Sequence, residues 1–206
     1  MHRPRRPRVR ERETEGRVEF AEKKKMRVGL TLFLEKEECC ILPNNKNIIM
    51  AAEQVDPLTD RDVRVLHTKT IPQGISAMLM FDETASADEN QMNMLSAAEN
   101  VETAQVTFAA RDSEVDGKPI KQGEIMGLCN GKIKYIGNDI TDIAVKSAHK
   151  LFKKGEHSLI TIIYGEGASE DDAEAVEKAL CEKYGSDVEI SIVNGGQPIY
   201  YFIISV

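Results

Sequence analysis

The stretch Ile41–Met50, ILPNNKNIIM, is apolar at both ends and carries three carboxamides and one lysine in between. Just before the turn, Cys39–Leu42 is a short apolar run, a pattern typical of a strand that is buried on both faces. After the turn, apolar residues recur at helical spacing, which predicts a helix over Asn45–Val55. The stretch therefore predicts a strand, a polar loop and a helix in direct succession.

The same order of elements follows once more along the chain. Val63–His67 is rich in β-branched residues and predicts a second strand. The polar loop TKTIPQG, residues 68–74, comes next, and Ile75–Phe81 predicts an apolar helix. Because two such units follow one another, the pattern indicates parallel strands joined by crossover helices. The first part of the chain is thus predicted to be a parallel α/β lobe.

The two polar loops are the best candidates for a ligand or partner contact. Ligands of open α/β sheets bind outside the carboxyl ends of the strands, where both loops begin. Amides, hydroxyls, lysines and backbone N–H groups at a helix start could together hold an anion. A purely structural interpretation stays open, with Asn45 as a helix N-cap and Thr70 as a hydroxyl bonded to backbone. The candidates are Asn44, Asn45, Lys46, Asn47, Thr68, Lys69, Thr70, Gln73 and Gly74.

The pattern of apolar and polar residues changes after residue 100. Residues 82–90 are predicted to be a linker and residues 91–99 a helix. Alternating apolar residues then predict antiparallel strands, with a hairpin turn at Asn130-Gly131. Further along, helices are expected over residues 139–152 and 169–184, and strands over 158–164, 188–193 and 199–206. The predicted division is an atypical or disordered basic segment at 1–38, a partial α/β lobe at 39–100 and an α+β lobe at 101–206.

Charge separates the N-terminal segment from the rest. Residues 1–25 hold ten Lys and Arg against five Glu, a balance of +5, so the total of −7 leaves −12 for residues 26–206. A basic arm can bind nucleic acid, but here Glu is interleaved and aromatic residues are nearly absent, which favours a solvated tail. The acidic body argues against nucleic acid as the main partner. The sequence contains no run of about 18 apolar residues, which a membrane span would need, and the expected location is the cytoplasm.

Other residues carry weaker signals. The four cysteines, Cys39, Cys40, Cys129 and Cys181, have no metal-ligand spacing and are predicted to be small buried hydrophobes. His67 could act as a base but has no recognisable partner. The turn GEGASE from Gly165 lacks the lysine and glycine spacing of a nucleotide loop, and a plain strand-to-helix turn is favoured. Arg111 could pair with Asp112 or hold an anion, and Gln197 offers an amide in the turn NGGQP.

Several of these motifs together resemble a known family. In order, LPNNKNIIMAAEQV, TKTIPQGISAMLMF, the AARD segment before KPIKQGEIMGL, and GGQPIYYFIISV resemble the C-terminal region of fatty acid kinase catalytic subunits, also described as dihydroxyacetone kinase-like. The resemblance covers residues 41–206. It implies a DegV-like α/β fold with two lobes, a parallel α/β lobe followed by a mixed α+β lobe.

The resemblance also implies a division of labour. In that family an N-terminal helical domain binds ATP and magnesium through aspartates, so no cofactor, metal or catalytic residue is expected in this chain. The glycine-rich lead-in that precedes LPNNKN in the family is missing, and residues 1–38 look unrelated to it, which suggests a truncated or split product.

Two functions follow as hypotheses. The chain either contacts the fatty-acid-binding partner subunit or regulates phosphoryl transfer, or it binds a fatty acid, an acyl phosphate or another anionic small ligand itself. In the second case, the crevice between the lobes would bury the acyl chain and the two loops would hold its polar end. The resemblance also leaves a homodimer open. A basic-tailed nucleic-acid binder is the third and weakest hypothesis.

Overall fold

The computed structural model describes residues 30–34, 38–115 and 117–206. The chain divides into two compact units, residues 1–96 and 97–206. The boundary falls inside a helix, Ala87–Glu99, rather than in a linker.

The first unit contains a three-stranded sheet in the order β1-β2-β3. Its strands are β1 (Leu30–Leu34), β2 (Glu38–Leu42) and β3 (Asp62–Val65). The predicted parallel pairing holds for β2 and β3, whereas β1 and β2 are antiparallel. Strand β1 lies in the segment 1–38. No regular element was predicted there, because charged residues flank the apolar residues of this strand. Residues 1–29 and 35–37 lie outside the described residues.

The first unit also contains the helices α1 (Ile49–Glu53) and α2 (Ile71–Leu79) and most of α3 (Ala87–Glu99). Helix α1 is shorter than the predicted 45–55, because Asn45 and Asn47 form a turn before it; a 3-10 turn at Asp56–Leu58, with Pro57 in its first positions, follows it. Helix α2 begins four residues before the predicted start at Ile75.

Helix α3 also begins earlier than predicted. The Ser86 backbone N–H donates to the Glu89 carboxylate at 3.0 Å, and the Glu89 N–H donates to Ser86 Oγ at 3.3 Å. This reciprocal pair is a capping box, and its spacing is visible in the sequence. The interpretation of residues 82–90 as a linker was therefore wrong at its end, where residues 87–90 are helical.

Side chains at the start of α3 connect this helix to its neighbours. Asn90 is buried, and its carboxamide both accepts from the Asp82 N–H and donates to the Asp82 carbonyl, each at 2.8 Å. The Arg64 guanidinium on β3 contacts the Asp88 carboxylate and donates to Gln91 Oε1 at 2.9 Å. These hydrogen bonds fix the first turns of α3 against β3 within the first unit.

The second unit is built on a six-stranded sheet in the order β10-β9-β11-β4-β7-β8, with a separate hairpin of β5 and β6. The strands are β4 (Thr103–Phe108), β5 (Ser113–Val115), β6 (Lys118–Ile120), β7 (Ile125–Cys129), β8 (Lys132–Gly137), β9 (Leu159–Tyr164), β10 (Glu189–Asn194) and β11 (Phe202–Ser205). The helices are α4 (Ile140–Leu151) and α5 (Glu170–Tyr184), with a 3-10 turn at Gly185–Asp187.

Only β9 and β10 are parallel in this sheet; its other neighbouring pairs are antiparallel. The predicted hairpin at Asn130-Gly131 is confirmed, with φ of 48° and 75° at the two residues, as a tight turn between strands requires. The C-terminal strand β11 lies between β9 and β4, and the mixed α+β prediction for this part of the chain is therefore correct.

The core of the second unit lies between its sheet and the helices α4 and α5. Ile143 and Ala148 of α4 and Leu180 of α5 pack with Ile162 and Phe202 of the sheet, and all five are buried. Both helices begin with a side-chain cap, Asp139 for α4 and Ser169 for α5, as the sequence predicted. The caps and the apolar faces explain why these two helices lie within one residue of their predicted bounds.

Candidate functional site

In the polar loop after β2, Asn44 has a φ of 55°, which lies in the left-handed region. Asparagine is one of the few residues other than glycine that adopt this conformation readily. Asn45 does not cap α1, whose N-cap is Ile48 without a side-chain hydrogen bond. Instead, Asn45 Oδ1 accepts from the Asn47 N–H at 2.9 Å, an Asx turn within the loop. The N-cap interpretation of Asn45 was therefore wrong.

The loop after β3 forms the start of α2. Thr70 is the N-cap, and its Oγ1 accepts from the Gln73 N–H at 3.4 Å. Gln73 Oε1 accepts in turn from the Lys69 N–H at 2.8 Å. These two hydrogen bonds use the Thr70 and Gln73 side chains to close the helix end, which agrees with the structural interpretation of Thr70.

The two loops meet at Asn44, as expected for loops at adjacent parallel strands. The Asn44 N–H donates to Thr68 Oγ1 at 3.1 Å, and Thr68 is fully buried. The Asn44 carboxamide covers Gly74 in the first turns of α2, so that a Cβ at residue 74 would overlap Oδ1, Nδ2 and Cγ of Asn44. Of the nine predicted loop residues, Asn44, Thr68 and Gly74 are thus brought into direct contact.

The Asn44 carboxamide retains unused hydrogen-bonding capacity. Its Oδ1 is buried and has no hydrogen-bond partner within the described part of the chain. Buried polar atoms in folded proteins nearly always have a partner, either another protein group or an ordered water, so this acceptor is an exception that still lacks a donor. The donor can be a water, a hydroxyl, an amide, a cationic N–H group or a protonated acid, but not an ionised carboxylate, which offers no hydrogen to an acceptor.

The two lysines of the loops lie on the outside. Lys46 and Lys69 are exposed, as are Asn45 and Asn47. Neither lysine forms an ion pair with a carboxylate of residues 38–115 or 117–206. They can attract an anion to this edge of the unit, but water screens a charge held in this way.

His67 has a partner that the sequence did not reveal. Its Nε2 lies 2.8 Å from Glu53 Oε1 at the end of α1, and both side chains are about half exposed. This contact ties the end of α1 to the loop after β3. It could have been foreseen only by knowing that α1 and β3 are neighbours, because the two residues are 14 positions apart.

Arg111 and Gln197 lie in the second unit. Arg111 is exposed. The Asp112 carboxylate accepts from the Gln122 N–H at 2.7 Å and does not pair with Arg111. Gln197 Nε2 donates to the Ile163 carbonyl at 3.1 Å, so this amide holds the turn NGGQP against β9. The amide that the sequence marks at Gln197 is therefore used in a hydrogen bond within the second unit.

The turn GEGASE serves the start of α5. The N–H of Glu166 donates to the Gln197 carbonyl at 3.0 Å, and the N–H of Ala168 donates to the Gly165 carbonyl at 3.1 Å. Ser169 and Asp172 form a capping box, in which backbone and side-chain hydrogen bonds from Ser169 lower the pKa of the Asp172 carboxyl. Acidic residues in the first turn repel a phosphate, which agrees with a plain strand-to-helix turn.

The remaining expectations concern metals, membranes and thiols. Within residues 30–34, 38–115 and 117–206, no three His, Cys, Asp or Glu side chains gather as metal ligands do. Among the described residues, none of the helices combines the length and the apolar composition of a membrane span. Cys39, Cys40 and Cys129 are buried, as predicted, whereas Cys181 is exposed because it lies on the outer face of α5.

The chain resembles known proteins over most of its length. The model of the FakA-like C-terminal domain family of fatty acid kinases matches residues 33–206. Protein YloV of Bacillus subtilis is 46% identical over 166 residues, 80% of this chain and 30% of YloV. A Staphylococcus haemolyticus protein is 39% identical over 176 residues, 84% of this chain and 32% of that relative. The chain spans about a third of the length of these curated relatives.

Solved structures of DegV-family proteins share the fold. Cg2579 from Corynebacterium glutamicum has a TM-score of 0.54 at 17% identity, and the match covers 81% of this chain and 73% of Cg2579. A Ruminococcus gnavus protein with vaccenic acid has a TM-score of 0.51 at 14% identity, covering 81% and 71%. A fatty-acid-binding protein from Thermus thermophilus has a TM-score of 0.51 at 14% identity, covering 76% and 65%. The predicted DegV-like α/β fold is confirmed.

Proposed function

This chain belongs to the FakA-like C-terminal family of fatty acid kinases, and from that premise we propose that it docks the fatty-acid-binding partner subunit of such a kinase. In this proposal ATP and magnesium are held by the helical domain that the family carries N-terminal to the matched region, and the chain described here takes no direct part in phosphoryl transfer. Its contribution is to bring the acyl substrate, bound to the partner, to that domain or to regulate the transfer.

The observation that carries the proposal is an exposed apolar stripe on α2. Ile71, Ile75 and Leu79 recur every four residues, so they lie on one face of the helix. Their exposed fractions are 43%, 48% and 80%, large values for such apolar side chains. Contiguous exposed apolar surface on a folded protein marks an interaction site. We call these three residues the α2 stripe.

The buried residues of α2 hold the stripe in a defined position. Pro72, Gly74 and Ala77 are buried, and Gly74 lies directly under the Asn44 carboxamide. A helix that is fixed on its inner face presents its outer face without a further loss of conformational freedom on binding, which favours affinity. The candidate loops are therefore an architectural support of the docking surface in this proposal.

Binding of the purified chain to a DegV-family fatty-acid-binding protein loaded with vaccenic acid, measured by calorimetry, tests the proposal. Ile75→Glu and Leu79→Glu should each weaken binding by about tenfold or more, since each places a charge in the centre of an apolar contact. Leu58→Ser is the matched control, because Leu58 is 83% exposed but lies outside α2. Unchanged affinity in both stripe variants, or ATP hydrolysis with magnesium by the chain alone at a kinase rate, would refute the proposal.

A second function is favoured by the orphaned acceptor at Asn44. In this alternative, a fatty acid or acyl phosphate bound to the first unit directs a protonated acid group or another donor to Asn44 Oδ1. The fold is compatible with this role, because solved DegV-family proteins include one described with vaccenic acid and one described as fatty acid binding.

Native mass spectrometry of the chain after bacterial expression separates the two functions. A co-purifying mass of a fatty acid that is lost in Asn44→Gly would establish the second function. The absence of any bound fatty acid, together with no binding of added acyl phosphate, would remove it and leave the docking proposal untouched.

A further inference from the structure

The two edges of the six-stranded sheet in the second unit differ in their protection. The edge strand β8 carries Lys132 and Lys134, and its pairing with β7 shifts register between Gly127 and Leu128. Charged residues, lysine above all, and bulges are devices that prevent an edge strand from pairing with another chain. The β8 edge is therefore protected against pairing with a strand of another chain.

The opposite edge, β10, lacks both the lysines and the bulge. Its six residues, EISIVN, pair in parallel with β9 from Glu189 to Asn194 without a register shift. Glu189, at the first position, is the only charged residue of the strand. Isoleucine and valine fill three of the remaining positions, and these residues favour extended structure. A regular edge of this length, uncharged beyond its first residue, is a ready template for another strand.

The backbone groups that face outward on β10 follow from its hydrogen bonds to β9. The Glu189 N–H donates to the Ser158 carbonyl at 2.8 Å, and the Gly195 N–H donates to the Tyr164 carbonyl at 2.9 Å. Alternate residues of a strand direct their N–H and C=O groups to the same side, so residues 189, 191, 193 and 195 face β9. The backbone groups of Ile190, Ile192 and Asn194 therefore point away from the sheet, where no described strand pairs with them.

We propose that β10 pairs with β10 of a second copy of this chain, in antiparallel orientation, to join two six-stranded sheets into one. The outward-facing residues fit a two-fold axis through Ile192, which would lie opposite its own counterpart, with Ile190 opposite Asn194. This register allows about six backbone hydrogen bonds between the copies. The proposal is independent of the docking function, because it concerns another unit and other residues.

The side chains of β10 agree with pairing to itself. In this register Ser191 lies opposite Val193, and Glu189 lies opposite Gly195, so no charge faces a like charge. The two Glu189 carboxylates are placed at opposite ends of the strand pair. A closed, two-fold arrangement also uses the same surface on both copies and leaves no β10 edge open, which is the usual solution for soluble assemblies.

Sedimentation equilibrium of the full chain over about a hundredfold range of concentration tests the proposal. The wild type should form dimers. Ile192→Pro removes one outward-facing N–H group without removing a hydrogen bond to β9. Val193→Lys adds a charge beside the edge of the sheet. Each variant should raise the dimer dissociation constant by about tenfold or more. Val193→Lys changes a surface position that is 43% exposed, so it tests the proposal even if Ile192→Pro fails to fold. Ser191→Thr is the control and should dimerise as the wild type does.

Hydrogen exchange locates the contact. Amides of Ile190, Ile192 and Asn194 should become protected as the concentration rises, whereas those of Ser191 and Val193 are protected throughout by their bonds to β9. A chain that remains monomeric at every concentration would overturn the proposal. So would a dimer that is unaffected by Val193→Lys, or one whose protection appears elsewhere.

Discussion

The carboxamide of Asn44 occupies the space next to the Cα of Gly74, 30 residues further along the chain. This contact joins the loop after β2 to the first turns of α2, and the Asn44 N–H joins the same loop to buried Thr68. The two polar loops that the sequence marks as candidates are therefore one packed structure. Its integrity can be tested separately from any ligand.

Replacement of Gly74 by alanine is the first test of that packing. Alanine favours a helix over glycine by about 1 kcal/mol. The overlap with Asn44 opposes this gain, because overpacking in a buried position costs about 1–3 kcal/mol. We expect Gly74→Ala to lower the free energy of unfolding in urea. In an Asn44→Gly background the overlap is gone, and the same substitution should be neutral or stabilising; a loss of equal size in both backgrounds would contradict the contact.

Two substitutions at Asn44 separate its backbone from its side chain. The left-handed φ of 55° strains alanine by about 1–2 kcal/mol, whereas glycine adopts it freely. We expect Asn44→Ala to destabilise the chain by about that amount and Asn44→Gly by less than about 1 kcal/mol, from the entropy of the unfolded glycine. Chemical denaturation measures both. Lys46→Ala is the exposed control in the same loop and should leave stability unchanged.

Thr68 offers a test of the second contact. Thr68→Val keeps the shape of the side chain but leaves the Asn44 N–H without its acceptor, which should cost about 1–3 kcal/mol of stability. Thr68→Ser keeps the hydroxyl and loses one methyl group, about 0.8 kcal/mol. Serine should therefore be the milder substitution in urea denaturation. A valine variant as stable as the serine variant would show that this hydrogen bond contributes nothing.

The sequence predicted the regular elements of this chain better than its contacts. Strands β2 and β3 and helices α4 and α5 follow from local patterns, because apolar runs, helical spacing and caps are all short-range signals. Helix α1 was overpredicted mainly at its start, where the Asx turn between Asn45 and Asn47 precedes it, and α3 was underpredicted because the Ser86–Glu89 capping box was overlooked.

The candidate site shows where local patterns stop being informative. Residue types and spacing placed both loops at the ends of adjacent strands, but they could not tell which side chain faces inward. Asn44, rather than Asn45, became the structural residue because its own φ is left-handed. The sequence marked the Gln197 amide but not its acceptor, the Ile163 carbonyl, which lies 34 residues away. Contacts at such separations depend on the packing of the whole unit.

The cysteines should differ sharply in reactivity. Cys181 is exposed on α5, whereas burial raises the pKa of the Cys39 and Cys129 thiols and lowers their thiolate fraction. Of the four thiols, we expect one to react rapidly with Ellman's reagent in the native chain. All four should react in denaturant. Cys181→Ser should abolish the rapid phase; its persistence in that variant would contradict the burial of the other three.

The contact between His149 and Tyr184 should make stability depend on pH. His149 Nδ1 lies 2.9 Å from the Tyr184 hydroxyl, between α4 and α5, and burial together with the nearby Lys183 charge lowers the pKa of His149. The unfolded chain therefore binds a proton at this residue at higher pH than the folded chain does. The ordinary pKa of histidine is about 6.5. As the pH falls below it, proton binding stabilises the unfolded state more than the folded state, and the free energy of unfolding decreases.

This contribution is fully present above the ordinary pKa of histidine and is lost as the pH falls through the lower pKa of the folded state. His149→Gln removes the titrating group, so the decrease in the free energy of unfolding between about pH 7.5 and pH 5 should be smaller than in the wild type. Urea denaturation at a series of pH values measures both proteins. An identical decrease in the wild type and in His149→Gln would show that the proton is taken up elsewhere, because a histidine with an unshifted pKa cannot link folding to pH.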